Sequence, residues 1–519
     1  MKKSRIILIT VSTLALLSCS KKSATETKKT NSTQNTASQT INTGNPVLDK
    51  QLFAINNIGK MMVENNLEGA LYRMDGAYRL ANNNGNFAEL WNSVTEGLGK
   101  AKDFTINTES YENLDFYKFI DVSYNFDSTS VYARYFFSGT SVMPVNVDFM
   151  QEKPKTPKIG DKLALKDIFA DYFKIGCGLN GAVLDSSAIT KPQVMELAKQ
   201  EFSSCTMTNL MKPVYVLNQQ ESMKNYVSGN KEPVLRFGNI DKTLKFCMEN
   251  NLPVRGHTLI WHTQTPDWFF KEGYKNDGKL VDRKEMISRM ESFIRQYMTY
   301  VQETYPNTVY CWDVVNEAVD PENGDENSLF KCRMQNDNGP VLWYQTIGND
   351  YPELAFTFAR QYAAPGVKLF YNDYGTINSE KQMCIYNLCS DLKNKNLIDG
   401  IGLQGYWDIN YPSLSEIENA INIYAELGLE IQLTEWSISA KDNTVESFNA
   451  QAERYASVFK LLQKLDTQGG GKANITCVSG FGVIDEFNPG DTTNSRWFNK
   501  NGEPKPAYYA IKDTGLLWY

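Results

Sequence analysis

The sequence predicts an α/β fold, a (β/α)8 TIM barrel preceded by a small α+β N-terminal region, and three observations carry that prediction. Apolar strand-like runs occur at 172–179, 203–208, 254–261, 309–315, 368–374, 400–407, 430–436 and 479–485, separated by amphipathic helical stretches. Eight strands alternating with helices over roughly 350 residues suit a barrel with some long loops. The length of 519 residues leaves room for such a unit and something smaller. Pattern alone also permits a doubly wound open sheet. A barrel, however, sets its active site at the C-terminal ends of its strands, and each polar cluster described below stands at such an end.

Taken in order, the chain opens with Lys2, Lys3 and Arg5 before an apolar stretch from Ile6 to Leu17, too short for a membrane span. Leu16-Leu17-Ser18-Cys19 follows and resembles the lipobox of bacterial lipoproteins. On that reading residues 1–18 are removed and Cys19 is lipidated, so the protein is exported and tethered at the cell envelope. Residues 19–45 are rich in Ser, Thr, Asn and Lys and read as a flexible tether. Residues 46–158 form an accessory region: Leu52, Ile55, Ile58, Met61 and Met62 recur at helical steps, and alternation between 116 and 150 predicts antiparallel strands. Residues 159–519 are the barrel. There Ile240, Leu244, Cys247 and Met248 make one apolar helical face. Met286, Met290, Phe293, Tyr297 and Val301 make another, and Tyr455, Val458, Phe459 and Leu462 a third.

Composition excludes some functions. Net charge is −7 with no basic stripe, which argues against nucleic acid as a partner. Two histidines, His257 and His262, make a histidine-rich zinc site implausible. Eight cysteines remain after Cys19, several inside apolar runs, where cysteine is usually a small buried hydrophobe.

The chemistry gathers at four strand ends. The run 309–315 (VYCWDVV) finishes in Asn316-Glu317, and a carboxyl at the rim of a buried strand is placed as a general acid. Glu435 ends the run 430–436 in the same way and supplies a second carboxylate. RGHTLIWH (255–262) puts His257 and Trp261 on one face of an extended strand and His262 on the other. Trp261 offers a flat apolar face to a sugar ring, while His257, Gln264, Asn316 and Gln404 offer hydrogen bonds to hydroxyls.

These motifs resemble the family 10 glycoside hydrolases, the endo-β-1,4-xylanases, over about 163–510. In order they are Asn209-Leu-Met-Lys212, RGHTLIWHTQTPDW, WDVVNEA, YNDYG, GIGLQG, LTEW and KPAYYAI. The resemblance implies a (β/α)8 barrel, hydrolysis with retention, and an open cleft for xylan or a related β-1,4-linked polysaccharide. It implies Glu317 as acid/base, Glu435 as nucleophile, and substrate contacts from Asn209, Lys212, His257, Trp261, Gln264, Asn316, Tyr374, Gln404, Tyr406 and Phe481. Carboxyls about 5 to 5.5 Å apart suit that double displacement. No metal or organic cofactor is required, and a monomer is expected.

The chain also departs from the family. Tyr406 and Ser437 replace a histidine beside the nucleophile and the aspartate that supports it, which predicts a shifted pH profile, since a phenol does not become a cation in the working range. Thr208 replaces a glutamate before Asn209. Phe481 stands where a tryptophan usually roofs the cleft, with Trp497 as a partial substitute for a second. Both catalytic carboxylates remain. The alternatives are a retaining glycosidase on a related polysaccharide or xylo-oligosaccharides, and a non-catalytic glycan-binding surface lipoprotein.

Overall fold

The computed structural model describes residues 42–517 apart from 83, 140, 156–162 and 486–493. The expected leader, Cys19 and the tether up to residue 41 lie outside the described residues. Helices α1 (Pro46–Val63), α2 (Leu67–Leu71), α3 (Gly76–Ala81) and α4 (Asn84–Thr95) come first. Asn45 caps α1 by accepting from the N–H groups of Val47 and Leu48, and Leu52, Ile55, Ile58 and Met62 form its buried face. Strands β1 (Asp103–Asn113), β2 (Tyr117–Asn125), β3 (Ser130–Ser138) and β4 (Asn146–Met150) then make an antiparallel meander. The alternation that predicts strands misses β1, because an edge strand has one side without a partner and tolerates polar residues. Successive side chains of β2 and β3 face opposite ways. Ile120, Val122, Ala133, Tyr135 and Phe137 share a core with α1–α4, whereas Tyr117, Phe119 and Phe136 join the core of the barrel.

The remaining strands are β5 (Lys174–Leu179), β6 (Ser204–Met207), β7 (Val254–Trp261), β8 (Val309–Asn316), the short pair β9 (Gln335–Asn336) and β10 (Gly339–Pro340), β11 (Lys368–Asp373), β12 (Gly400–Leu403), β13 (Tyr406–Trp407), β14 (Glu430–Ile438) and β15 (Asn474–Gly480). Eight of them, all but β9, β10 and β13, are parallel neighbours, and β12 pairs with β14 while β15 pairs with β5. The sheet is therefore closed, as the barrel requires and an open sheet does not allow. Two predicted runs need correction. The eighth strand lies earlier than 479–485, since Cys477 and Val478 pair with Lys174 and Ile175 and the chain leaves the sheet after Gly480. The apolar residues beyond are a loop in which Ile484 bridges to Phe498. The sixth run breaks at Gly405, whose φ of 76° turns the chain, so β13 pairs with the end of β14 instead. The helices Arg283–Thr304 and Val445–Leu465 bury the predicted faces, but Met248 of Asp241–Glu249 is exposed.

The described cysteines are all unpaired, and only Cys384 is not fully buried. No helix among the described residues is long and apolar enough to cross a membrane.

The sheet β1–β4 docks on two barrel helices. Asp513, in the helix Pro506–Leu517, accepts from the N–H groups of Phe116 (2.6 Å) and Tyr117 (3.0 Å). On Val445–Leu465, Glu453 accepts from Ser138 and Lys460 pairs with Asp148. Burial pushes the Asp513 carboxyl up to about 7; the two N–H donors oppose the rise and Asp115 adds to it. The folded chain thus keeps a proton that the unfolded chain releases near pH 4. Stability from this group is complete below that value and is lost as pH rises to about 7. Asp513→Asn keeps an acceptor and removes the ionisation. Thermal unfolding of this variant is expected to show a higher Tm than wild type at pH 8 and little difference at pH 4; parallel pH dependences would contradict the assignment.

Candidate active site

At the barrel rim, backbone groups beyond the regular ladders join one strand end to the next. The N–H of Glu317 donates to the Asn372 carbonyl (2.9 Å), that of Gln404 to Asp373 (3.0 Å), that of Glu435 to Gln404 (3.0 Å), and that of Phe481 to Trp436 (3.3 Å). Residues from β8, β11, β12, β14 and β15 thereby start from a common ring.

Glu317 has a left-handed backbone, φ 57°, which a non-glycine residue adopts only when its surroundings hold it there. Besides its own N–H bond, its carbonyl accepts from Arg333 Nε (2.9 Å), and the following N–H, of Ala318, donates to the Tyr371 hydroxyl (3.0 Å). That hydroxyl donates to Asp373 (2.5 Å). The Glu317 side chain turns into the rim, where Oε1 accepts from Gln404 Nε2 (2.8 Å) and Oε2 from Trp261 Nε1 (2.9 Å).

Glu435 is buried, with Oε1 accepting from Asn372 Nδ2 (3.0 Å) and Oε2 from the Tyr406 hydroxyl (2.5 Å). Asn372 Nδ2 also donates to Asn316 Oδ1 (2.8 Å), and its Oδ1 accepts from Thr434 (2.6 Å). One amide therefore links Asn316 to Glu435 and leaves the Asn316 N–H donors for a ligand. The glycine pattern of GIGLQG has its reason here. A Cβ at Gly402 would strike the Asn372 amide and the Arg255 guanidinium.

Other predicted residues flank this pair. Lys212 is buried, donates to Asn209 Oδ1 (3.2 Å) and lies 4.7 Å from the centre of the Trp261 ring. Burial lowers its pKa, against the opposing charges of Glu435 and Glu317. His257 shares Asp313 with Arg255: its Nδ1 is 2.9 Å from Asp313 Oδ2, and Arg255 also donates to Gln432 (2.7 Å). The register of β7 against β8 slips between His257 and Ile260. His257 therefore sits within this buried polar cluster, while Trp261 reaches Glu317. His262 is pulled down to about 4 by burial, with Arg333 and Lys381 reinforcing the effect and Glu317 opposing it, so its ring is neutral near pH 7.

Tyr374 is part exposed; its hydroxyl accepts from Arg333 (3.1 Å), and Lys381 lies over its ring. Phe481 meets the Tyr406 ring edge-on at 6.1 Å. Gln264 stands apart, exposed, with its carbonyl rather than its side chain engaged, by Val214 N–H. Trp497 does not replace a cleft tryptophan. It is buried and stacks on Phe202, because the residues around it form the core beneath β15.

Sequence reasoning overlooked three residues of this site. Asn372 was recoverable, since 368–373 is another apolar run ending in polar residues. Asp313 is hidden inside an apolar run, and Arg333 lies in a long loop without pattern. No group of three or more metal-ligating side chains occurs among the described residues.

Residues 164–514 match the family described as Glycosyl hydrolase family 10. The chain is 38% identical over 353 residues to endo-1,4-beta-xylanase B of Butyrivibrio fibrisolvens, covering 67% of this chain and 52% of that protein. It is 31% identical over 388 residues to a beta-1,4-xylanase of Dictyoglomus thermophilum, covering 71% and 95%. The chain thus spans about half the length of the first relative and nearly all of the second. Among solved structures it is similar to the CBM22-1–GH10 modules of endo-1,4-beta-D-xylanase 10B of Clostridium thermocellum, complexed with xylohexaose (TM-score 0.61, 31% identity, 76% of this chain and 72% of that one). The family match takes in the whole closed barrel and every strand end that bonds to Glu317 or Glu435, and on that ground the chain belongs to glycosyl hydrolase family 10.

Proposed function

We propose that the protein is an endo-β-1,4-xylanase that hydrolyses internal β-1,4-xylosidic bonds of xylan with retention of configuration. The observation that carries this reading is the pair of glutamates, one just past β8 and one in the C-terminal half of β14, with all four carboxylate oxygens bonded by donors from or next to other strands. The relatives named as xylanases support the choice of substrate. Burial separates the two roles. Glu435, buried, suits the nucleophile; Glu317, half-buried at the rim, suits the group that meets the leaving oxygen.

In the first step Glu435 attacks the anomeric carbon as Glu317 gives its proton to the departing oxygen. In the second, Glu317 takes a proton from water, the water oxygen attacks the same carbon, and the ester to Glu435 breaks. Asn316, with Oδ1 held by Asn372, directs its N–H donors to the sugar 2-hydroxyl. Neutral His262 adds no positive charge beside Glu317.

Export and tethering through Cys19 complete the proposal, on the lipobox-like Leu16-Leu17-Ser18-Cys19. Incorporation of a labelled fatty acid in wild type but not in Cys19→Ala is the expected result.

Reducing-sugar release from xylan, arabinoxylan, mixed-linkage glucan, mannan and cellulose tests the activity. Cleavage of xylan is expected, and its loss in Glu435→Ala. Glu317→Ala is expected to lower kcat on xylan about 10²- to 10⁴-fold, and far less on an aryl xyloside whose leaving group needs no proton. Equal losses on both substrates would remove Glu317 from the acid role.

Tyr406 yields a pH prediction. Burial of its hydroxyl end and the charge of Glu435 push the phenol well above its ordinary value, so it remains a donor throughout the working range. Tyr406→Phe removes that donor from the ionised carboxylate, and the acid limb of the pH–rate profile is expected to move to higher pH. Tyr406→His introduces a group titrating near 6.5 and should add an ionisation that wild type lacks. Superimposable profiles for the three proteins would show that the hydroxyl does not act on Glu435.

A further inference from the structure

Beyond β15, Asp485 is clamped to residues 496–505. Asp485 N–H donates to the Phe498 carbonyl (2.9 Å), Arg496 N–H donates to Asp485 Oδ1 (2.9 Å), and Asp485 Oδ2 accepts from Lys505 (2.8 Å). The clamp fixes the backbone of Arg496, while its neighbour Trp497 is anchored in the core. The Arg496 side chain lies across Gly482, where any Cβ would strike the guanidinium end, and φ at Gly482 is 155°. Gly482 follows Phe481, whose ring touches Tyr406, whose hydroxyl bonds Glu435. A guanidinium therefore stands on the same wall of the cleft as the nucleophile.

Among the described residues its partners are few. Arg496 is partly exposed, and its one side-chain bond among the described residues is from NH1 to Ser495 Oγ (2.9 Å). No carboxylate pairs with it among those residues, and both oxygens of the nearest acid in the clamp, Asp485, are occupied by the Arg496 backbone and Lys505. Its charge is felt at Tyr406, where it opposes the rise of the phenol. Among the described residues the remaining donors of this guanidinium meet no acceptor, and a guanidinium fork matches the two oxygens of a carboxylate. The pentose backbone of xylan is uncharged, so a carboxylate reaches this wall only on a branch.

We infer that Arg496 is a specificity residue that receives the carboxylate of a uronic acid branch on the xylan chain, at or beside the sugar that bonds Glu435. The inference rests on the xylanase reading and adds the substrate class this wall selects.

The test compares kcat/KM of the full chain on a uronic-acid-substituted xylo-oligosaccharide and on the same oligosaccharide after reduction of its carboxyl to an alcohol. Wild type should favour the acidic form about tenfold, the size expected for one charge-assisted hydrogen-bonded contact, and added salt should shrink the preference. The ratio should fall towards one in Arg496→Gln and recover in part in Arg496→Lys. A wild-type ratio near one, or a ratio unchanged in Arg496→Gln, overturns the inference. So does an equal loss on both substrates with a displaced acid limb, the mark of a charge acting on Glu435 alone. Cleavage of neither oligosaccharide by wild type, together with inertness on unsubstituted xylan, would instead remove the xylanase reading and this inference with it.

Discussion

Closing eight parallel strands into a ring leaves the last residue of each with backbone groups that its regular ladder does not satisfy, and a buried unpaired group is costly. Here those groups bond to the next strand end around the rim, from Glu317 through Asn372, Asp373 and Gln404 to Glu435. Two carboxylates far apart in sequence are thus held to one ring of backbone bonds. The side-chain contacts follow the same route, since Gln404 and Asn372, which belong to the intervening strand ends, donate to Glu317 and Glu435 respectively.

Beneath the rim the barrel interior is polar where a simple core would be aliphatic. Arg255 and Asp313 are both buried and paired, and Gln432 and His257 take up further hydrogen-bonding capacity. Such a pair gains little net stability over apolar residues of equal volume, because both charges lose water. Its value is directional. The fork of Arg255 and the ring of His257 fix Asp313 from two sides, and the glycine at 402 leaves room for both the Arg255 guanidinium and the Asn372 amide.

The parts of this arrangement that were legible in the sequence are those with a period or a fixed order. Seven of the eight barrel strands could be located from apolar runs, and Glu317, Glu435, Gln404 and Trp261, which the structure brings together, each close such a run or adjoin its end. What escaped was decided by three-dimensional contact. Strand β1 carries polar residues because its outer edge has no neighbour. The eighth strand was shifted because Phe481 to Ile484 is as apolar as a strand yet packs as a loop. Trp497 looks like a cleft residue by its place in the chain, but the direction of its ring depends on Phe202 and Phe459, which are remote in sequence.

The helix Val445–Leu465 faces both ways. On one side Gln451 and Tyr455 hold Ile438, just past Glu435, and the carbonyls of Asn494 and Ser495. On the other, Glu453 and Lys460 meet Ser138 and Asp148 of the meander. The meander is therefore part of the scaffolding behind Glu435, not a detachable module. Cutting the chain at the polar segment between β4 and β5 would bare Tyr117, Phe119 and Phe136 and strip one face of that helix, so the shortest piece that keeps the barrel's packing whole begins at α1.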